Sequence, residues 1–107
     1  MNAGHPALAS GRWFELSLAE QLGNVGSEYE RALKWRQQKD ARFQNAFDRF
    51  LELLDLTVAD KRYSFIRKRE LLRIRETACT ELTQTTDSPT NLSDYFYHFA
   101  LLARKTM

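Results

Sequence analysis

Apolar side chains recur at helical spacing through almost the whole chain, and this periodicity constrains the fold more than any other feature. Leu18, Leu22, Val25, Tyr29, Ala32 and Leu33 form one stripe, and Phe43, Ala46, Phe47, Phe50, Leu51 and Leu54 form the next. Residues three and four apart share a helix face, so each stripe reads as the core-facing side of an amphipathic helix. Breakers are scarce: there are 4 Gly and 2 Pro, and Pro6 and Pro89 lie outside the periodic stretches. Strand-like alternation is almost absent. The expected class is all-α, an antiparallel four-helix bundle.

Helix boundaries follow from capping chemistry. Ser17-Leu18-Ala19-Glu20 is a capping-box pattern that opens the first helix. The two stripes stay in register if the helix runs on through Gln37 to Asp40, but one rod would then be about 60 Å long. It would also carry Arg36, Lys39 and Asp40 on its inward side. A short turn near Gln37–Asp40, with Asp40 as N-cap, is therefore expected. Residues 56–60 read as a connection, and Asp60 caps a third helix running to about Thr83, with Phe65, Leu71, Leu72, Ile74, Ala78, Cys79 and Leu82 inward. A polar loop over 84–90 leads to a fourth helix capped by Asn91 or Ser93, with Leu92, Tyr95, Phe96, Phe99, Leu102 and Ala103 on one face. Trp13 and Phe14 are expected to anchor the chain ahead of the first helix. Gly23 and Gly26 each cost about 1 kcal/mol of helix propensity, which close approach of another helix would justify.

At 107 residues the chain is the size of one domain, expected as a flexible tail over 1–11 and a bundle over 12–107. Cys79 is the only cysteine, so an intrachain disulfide is excluded. Residues 1–11 lack the basic start and apolar run of a signal peptide, and no stretch approaches a membrane span. A cytoplasmic protein with no membrane association is the expectation.

Catalytic chemistry finds few groups to work with. His5 lies in the tail and His98 on the fourth helix, with Asp94 four residues earlier. A helix-borne metal site needs several ligands stacked at such spacing, and two residues do not make one. Gly23-x-x-Gly26 lies inside a helix with no Lys-Ser or Lys-Thr after it, so it is not a phosphate loop. Small helical RNases of the HEPN type use an Arg-x4-His motif, whereas here Ser93 stands five residues before His98. A non-enzyme with no cofactor and no metal is expected.

Charge is unevenly distributed despite a net value of +2. Residues 61–76 carry 7 basic and 2 acidic side chains, against 7 and 9 over residues 1–60. Arg62, Arg69 and Arg73 are spaced i, i+7, i+11 and align along an outward sector of the third helix, where a guanidinium row can track phosphates of RNA or DNA. Lys68 and Arg75 project among apolar positions instead, and must snorkel, pair with Glu20, Glu28, Asp48 or Asp55, or mark a subunit contact. Tyr97 and Leu101 face away from the apolar side of the fourth helix and predict a second partner there, such as another copy of the chain. The two glycines of the first helix are compatible with a tight crossing between subunits.

Gly11-Arg12-Trp13-Phe14, the run from Glu20 to Glu28 and Leu51-Glu52-Leu53-Leu54-Asp55-Leu56-Thr57 resemble a group of small prokaryotic four-helix-bundle proteins, over most of residues 11–103. In architecture the chain is similar to proteins encoded in ribosomal-RNA intervening sequences and to the accessory variability determinants of diversity-generating retroelements. The latter resemblance implies a basic oligomer without catalytic residues that binds a reverse transcriptase and nucleic acid, with Arg62, Arg69 and Arg73 as the contacting residues. The competing expectations are a protein-only adaptor or antitoxin-like partner using Tyr97 and Leu101, and a degenerate relative of the HEPN RNases.

Overall fold

Ser17 opens the first helix in the way its sequence predicts. Its hydroxyl accepts from the Glu20 backbone N–H at 3.1 Å, and the Glu20 carboxylate accepts from the Ser17 N–H at 2.8 Å. The computed structural model describes residues 11–83 and 92–105. Within them a 3-10 turn, Arg12–Glu15, precedes α1 (Leu18–Gln37), α2 (Arg42–Val58), α3 (Phe65–Thr83) and α4 (Leu92–Lys105), and there is no strand. All of the expected 1–11 tail but Gly11, with His5 in it, the loop over 84–90 and an Asn91 cap lie outside the described residues.

α1 is the central element and packs most extensively against α2 and α4. Tyr29, Phe50 and Phe96, one from each helix, meet as a triangle of rings with centroids 5.5 to 6.1 Å apart. Such tilted and edge-on ring pairs add about 0.5–1.5 kcal/mol each beyond the burial of their area. Leu22, Val25, Ala32, Leu54 and Leu71 complete a core with no measurable exposure. α1 and α4 run antiparallel at very close range. A Cβ on Gly26 would overlap the Phe96 Cβ and lie 2.9 Å from its Cγ, and one on Gly23 would lie 3.3 Å from the Ala100 Cα. The close approach of another helix that the first-helix glycines predict is thus found inside the chain, against α4.

The turn between α1 and α2 falls where it is expected, but its chemistry differs. Lys39 adopts φ +53°. Its N–H donates to the Arg36 carbonyl at 3.1 Å, and the Asp40 N–H donates to the Trp35 carbonyl at 2.9 Å. These two bonds are the Schellman arrangement, in which the left-handed position is usually glycine. The N-cap of α2 is Ala41 rather than Asp40. Asp40 still bonds the Arg42 N–H and guanidinium, and those bonds hold its carboxyl down at about 2. The same guanidinium lies 3.7 Å from the Trp35 ring centroid. Because a left-handed non-glycine residue is strained, Lys39→Gly is expected to raise stability by about 0.5–1 kcal/mol, measurable as an upward shift in thermal midpoint.

Three other boundaries move. α2 continues through Val58, so residues 56–58 are helical and not a connection. α3 starts at Phe65 because Ser64, not Asp60, caps it: the Ser64 hydroxyl accepts from the Arg67 N–H at 3.1 Å. Ser93 lies inside α4 instead of capping it. On α3 the buried line is Leu71, Ala78 and Leu82, with Ile74 packed beside it. Phe65 and Leu72 sit about 100–120° around the helix from that line at 100° per residue, and both are exposed. Leu102, expected inward on α4, is likewise 37% exposed.

Candidate functional site

The outward face of α3 is where residue type and position disagree most with a solvated helix. Phe65 is 74% exposed, Ile66 76% and Leu72 49%. Arg69 and Arg73 are exposed among them, so the spacing i, i+1, i+4, i+7, i+8 makes one continuous face of apolar and guanidinium groups. The Arg69 guanidinium lies 5.7 Å from the Phe65 ring centroid. Glu76 is exposed one turn beyond Leu72. Large apolar side chains clustered on a surface, rather than scattered, are characteristic of sites that another molecule covers.

Arg62 does not belong to this row. It precedes α3, in the link after α2, and its guanidinium is committed inside the chain: Nε donates to Asp60 Oδ1 at 3.0 Å, and one terminal nitrogen donates to Asp60 Oδ2 at 2.7 Å and to the Leu16 carbonyl at 2.5 Å. The helix period that aligned Arg62 with Arg69 and Arg73 does not extend to it, because α3 begins three residues later. Asp60 is 2% exposed and also accepts from the Arg62 N–H at 2.9 Å and from Gln21 Nε2 at 3.0 Å. The hydrogen bonds from the Arg62 guanidinium hold the Asp60 carboxyl well below the usual carboxylate range, against the opposing effect of burial. Gln21 reaches on to the Trp13 carbonyl at 3.0 Å and accepts from Tyr63 at 2.5 Å, while the Trp13 indole N–H donates to Thr57 at 3.1 Å. This network ties the 3-10 turn, α1, the end of α2 and the start of α3 into one buried joint.

Compared with protein-family models, curated proteins and solved structures, the chain matches none. What the structure shows is the architecture alone, a small, all-helical, four-helix protein.

The other site residues separate into two groups. Arg75 pairs across helices with Asp55, one of the acids proposed for it, at 2.8 Å, and that hydrogen bond raises its pKa. Lys68 is half-buried. Glu28 is taken by Arg31 of its own helix at 2.7 Å. Arg67, inconspicuous in the sequence, bonds Glu70 at 2.9 Å, whose other oxygen accepts from Tyr95 of α4 at 2.5 Å. Burial, reinforced by Glu70, pushes the Tyr95 phenol above its ordinary value. Near the end of α3, the Glu81 carboxylate accepts from the Tyr29 hydroxyl and its carbonyl from Arg36. These links hold α3 against the bundle through charged and polar side chains. Tyr97 is 57% exposed and Leu101 37%, both on the side of α4 away from the core as expected.

Cys79 is partly buried, and Asp94 and His98 are both exposed. Among the described residues no three His, Cys, Asp or Glu side chains converge as metal ligands, and no helix is long and apolar enough to cross a membrane.

Proposed function

We propose that the chain is a non-catalytic accessory module whose outward α3 face docks a protein segment bearing apolar and acidic side chains. The carrying observation is the joint exposure of Phe65, Ile66 and Leu72 around Arg69 and Arg73. An amphipathic helix with apolar residues at i, i+4 and i+7 and carboxylates beside them would bury the first set and pair with the second. A reverse transcriptase carrying such a segment is one partner of this kind, in keeping with the architectural likeness to retroelement accessory proteins. The commitment of Arg62 to Asp60 shortens the basic row from three guanidiniums to two, which moves the balance from nucleic acid toward protein.

A single strand of RNA or DNA is the second reading, favoured by the exposed Phe65 ring beside Arg69, since bases stack on such rings while guanidiniums follow phosphates. A displayed library of helical peptides and a labelled oligouridine, both titrated at low salt, separate the two. For a protein partner, acidic apolar peptides are selected, and Ile66→Ser with Leu72→Ser weakens binding by about tenfold or more. RNA binding that survives this pair but is lost in Arg69→Glu/Arg73→Glu would favour the second reading. Failure of both probes would remove the α3 face from consideration.

A further inference from the structure

α4 carries a second uncovered face, and its order of charges is self-complementary. Asp94, Tyr97, Leu101 and Arg104 follow i, i+3, i+7, i+10 and are all exposed. The face is acidic at its start, apolar in its middle and basic at its end. Two copies of such a helix laid antiparallel about a two-fold axis bring each residue against one equally distant from the centre. With the axis level with residue 99, Tyr97 meets the second copy's Leu101. The same register sets Asp94 against the second copy's Arg104. One alignment therefore satisfies the apolar and the charged pairs together.

The ground beside Tyr97 is shaped to receive a side chain. Because α4 lies so close to α1, a groove of about 410 Å³ opens between them, with Gly23, Ser27 and Ala100 lining it and Glu30, Tyr97 and Arg104 around it. α1 runs antiparallel to α4 with Gly26 against Phe96, so Glu30, one turn further on, falls at the Asp94 end. It adds a second carboxylate where the second copy brings Arg104 and Lys105. The small lining residues leave room for a leucine or tyrosine from the other chain.

We infer that the chain forms a two-fold dimer through antiparallel pairing of α4, with Tyr97 packed on the second copy's Leu101 and Asp94 paired with its Arg104. This surface is separate from the α3 docking face, so the dimer does not depend on the reading given to α3.

Sedimentation equilibrium over a wide concentration range tests the proposal, with circular dichroism verifying that each variant is folded. The intact chain is expected to dimerise, and Tyr97→Asp and Leu101→Asp each to raise the dimer dissociation constant by about tenfold or more. Asp94→Arg alone and Arg104→Asp alone weaken the dimer. Combined in one chain they restore most of the lost affinity, and the two single variants mixed together form a heterodimer, because the pairs between positions 94 and 104 are again of opposite sign and only Glu30 is left facing a like charge. A chain that stays monomeric up to its solubility limit would overturn the inference. So would a dimer unaffected by Tyr97→Asp, or charge reversals that the double substitution does not rescue.

Discussion

Asp60→Ala is expected to lower the unfolding free energy by about 3 kcal/mol, read by urea denaturation at neutral pH. Asp60 is the acceptor on which the buried joint converges: it takes bonds from the Arg62 guanidinium, the Arg62 N–H and Gln21. Truncation leaves one of the two Gln21 amide N–H bonds without its acceptor in a fully buried position, and frees Arg62 from the Leu16 carbonyl it bridges to. Asp60→Asn keeps the shape but loses the charge, and should cost about 2 kcal/mol. The pH dependence follows from linkage. The folded-state pKa lies below the unfolded one, so the stabilisation is complete above the unfolded value of about 4 and is lost as pH falls through the folded value. The gap between the intact chain and Asp60→Asn should therefore narrow steadily below pH 4. A gap that stays constant to pH 2 would show that the carboxylate charge contributes nothing.

Gly26→Ala is the second large effect, and Gly23→Ala is its control. Both substitutions gain about 1 kcal/mol of helix propensity. At Gly26 the new methyl overlaps the Phe96 Cβ, an atom fixed to the α4 backbone, so α1 and α4 must separate and the three-ring cluster must open. Overpacking of this kind costs about 1–3 kcal/mol and more where backbone must move, so a net loss of about 2 kcal/mol is expected. At Gly23 the nearest atom is the Ala100 Cα at 3.3 Å, so the α4 backbone must give by a few tenths of an ångström, a cost that roughly offsets the gain in propensity. Thermal denaturation of the two variants should show a clear drop for Gly26→Ala and little change for Gly23→Ala. Equal behaviour of the two would mean that the helices are not in contact at Phe96.

The sequence was most legible where local chemistry and periodicity agreed. The capping box at Ser17, the α1 stripe and the anchoring role of Trp13 all appear in the fold because each needs only its near neighbours or a single apolar period. α3 was least legible. Asp60 carries a capping side chain, but the group that caps α3 is the Ser64 hydroxyl four residues later, a start that periodicity does not mark. Asp60 is drawn into the joint by Gln21, which is 39 positions away in sequence, so no local rule could assign it there. That choice moved the helix start past Arg62 and removed it from the arginine row. Nor could the period assign Phe65 and Leu72 to solvent, because an apolar residue counts toward the core until the packed line, here Leu71, Ala78 and Leu82, is known. The α1–α2 break was visible in its position but not in its mechanism, since Lys39 occupies a conformation that glycine would have announced. Arg75 was readable as a residue needing an acid, and tertiary packing selected Asp55 from four candidates.

The outward faces of α3 and α4 belong to different helices, and this separation bears on binding strength. Pairing through α4 would leave two α3 faces open on one particle, related by the same two-fold axis. A partner presenting two copies of its docking segment would then meet the second face as an intramolecular event, governed by a local concentration on the order of millimolar for a short tether. Modest affinity at a face the size of five side chains would be multiplied rather than replaced, and the dimer would act as a counter of tandem or paired segments that a lone chain would release.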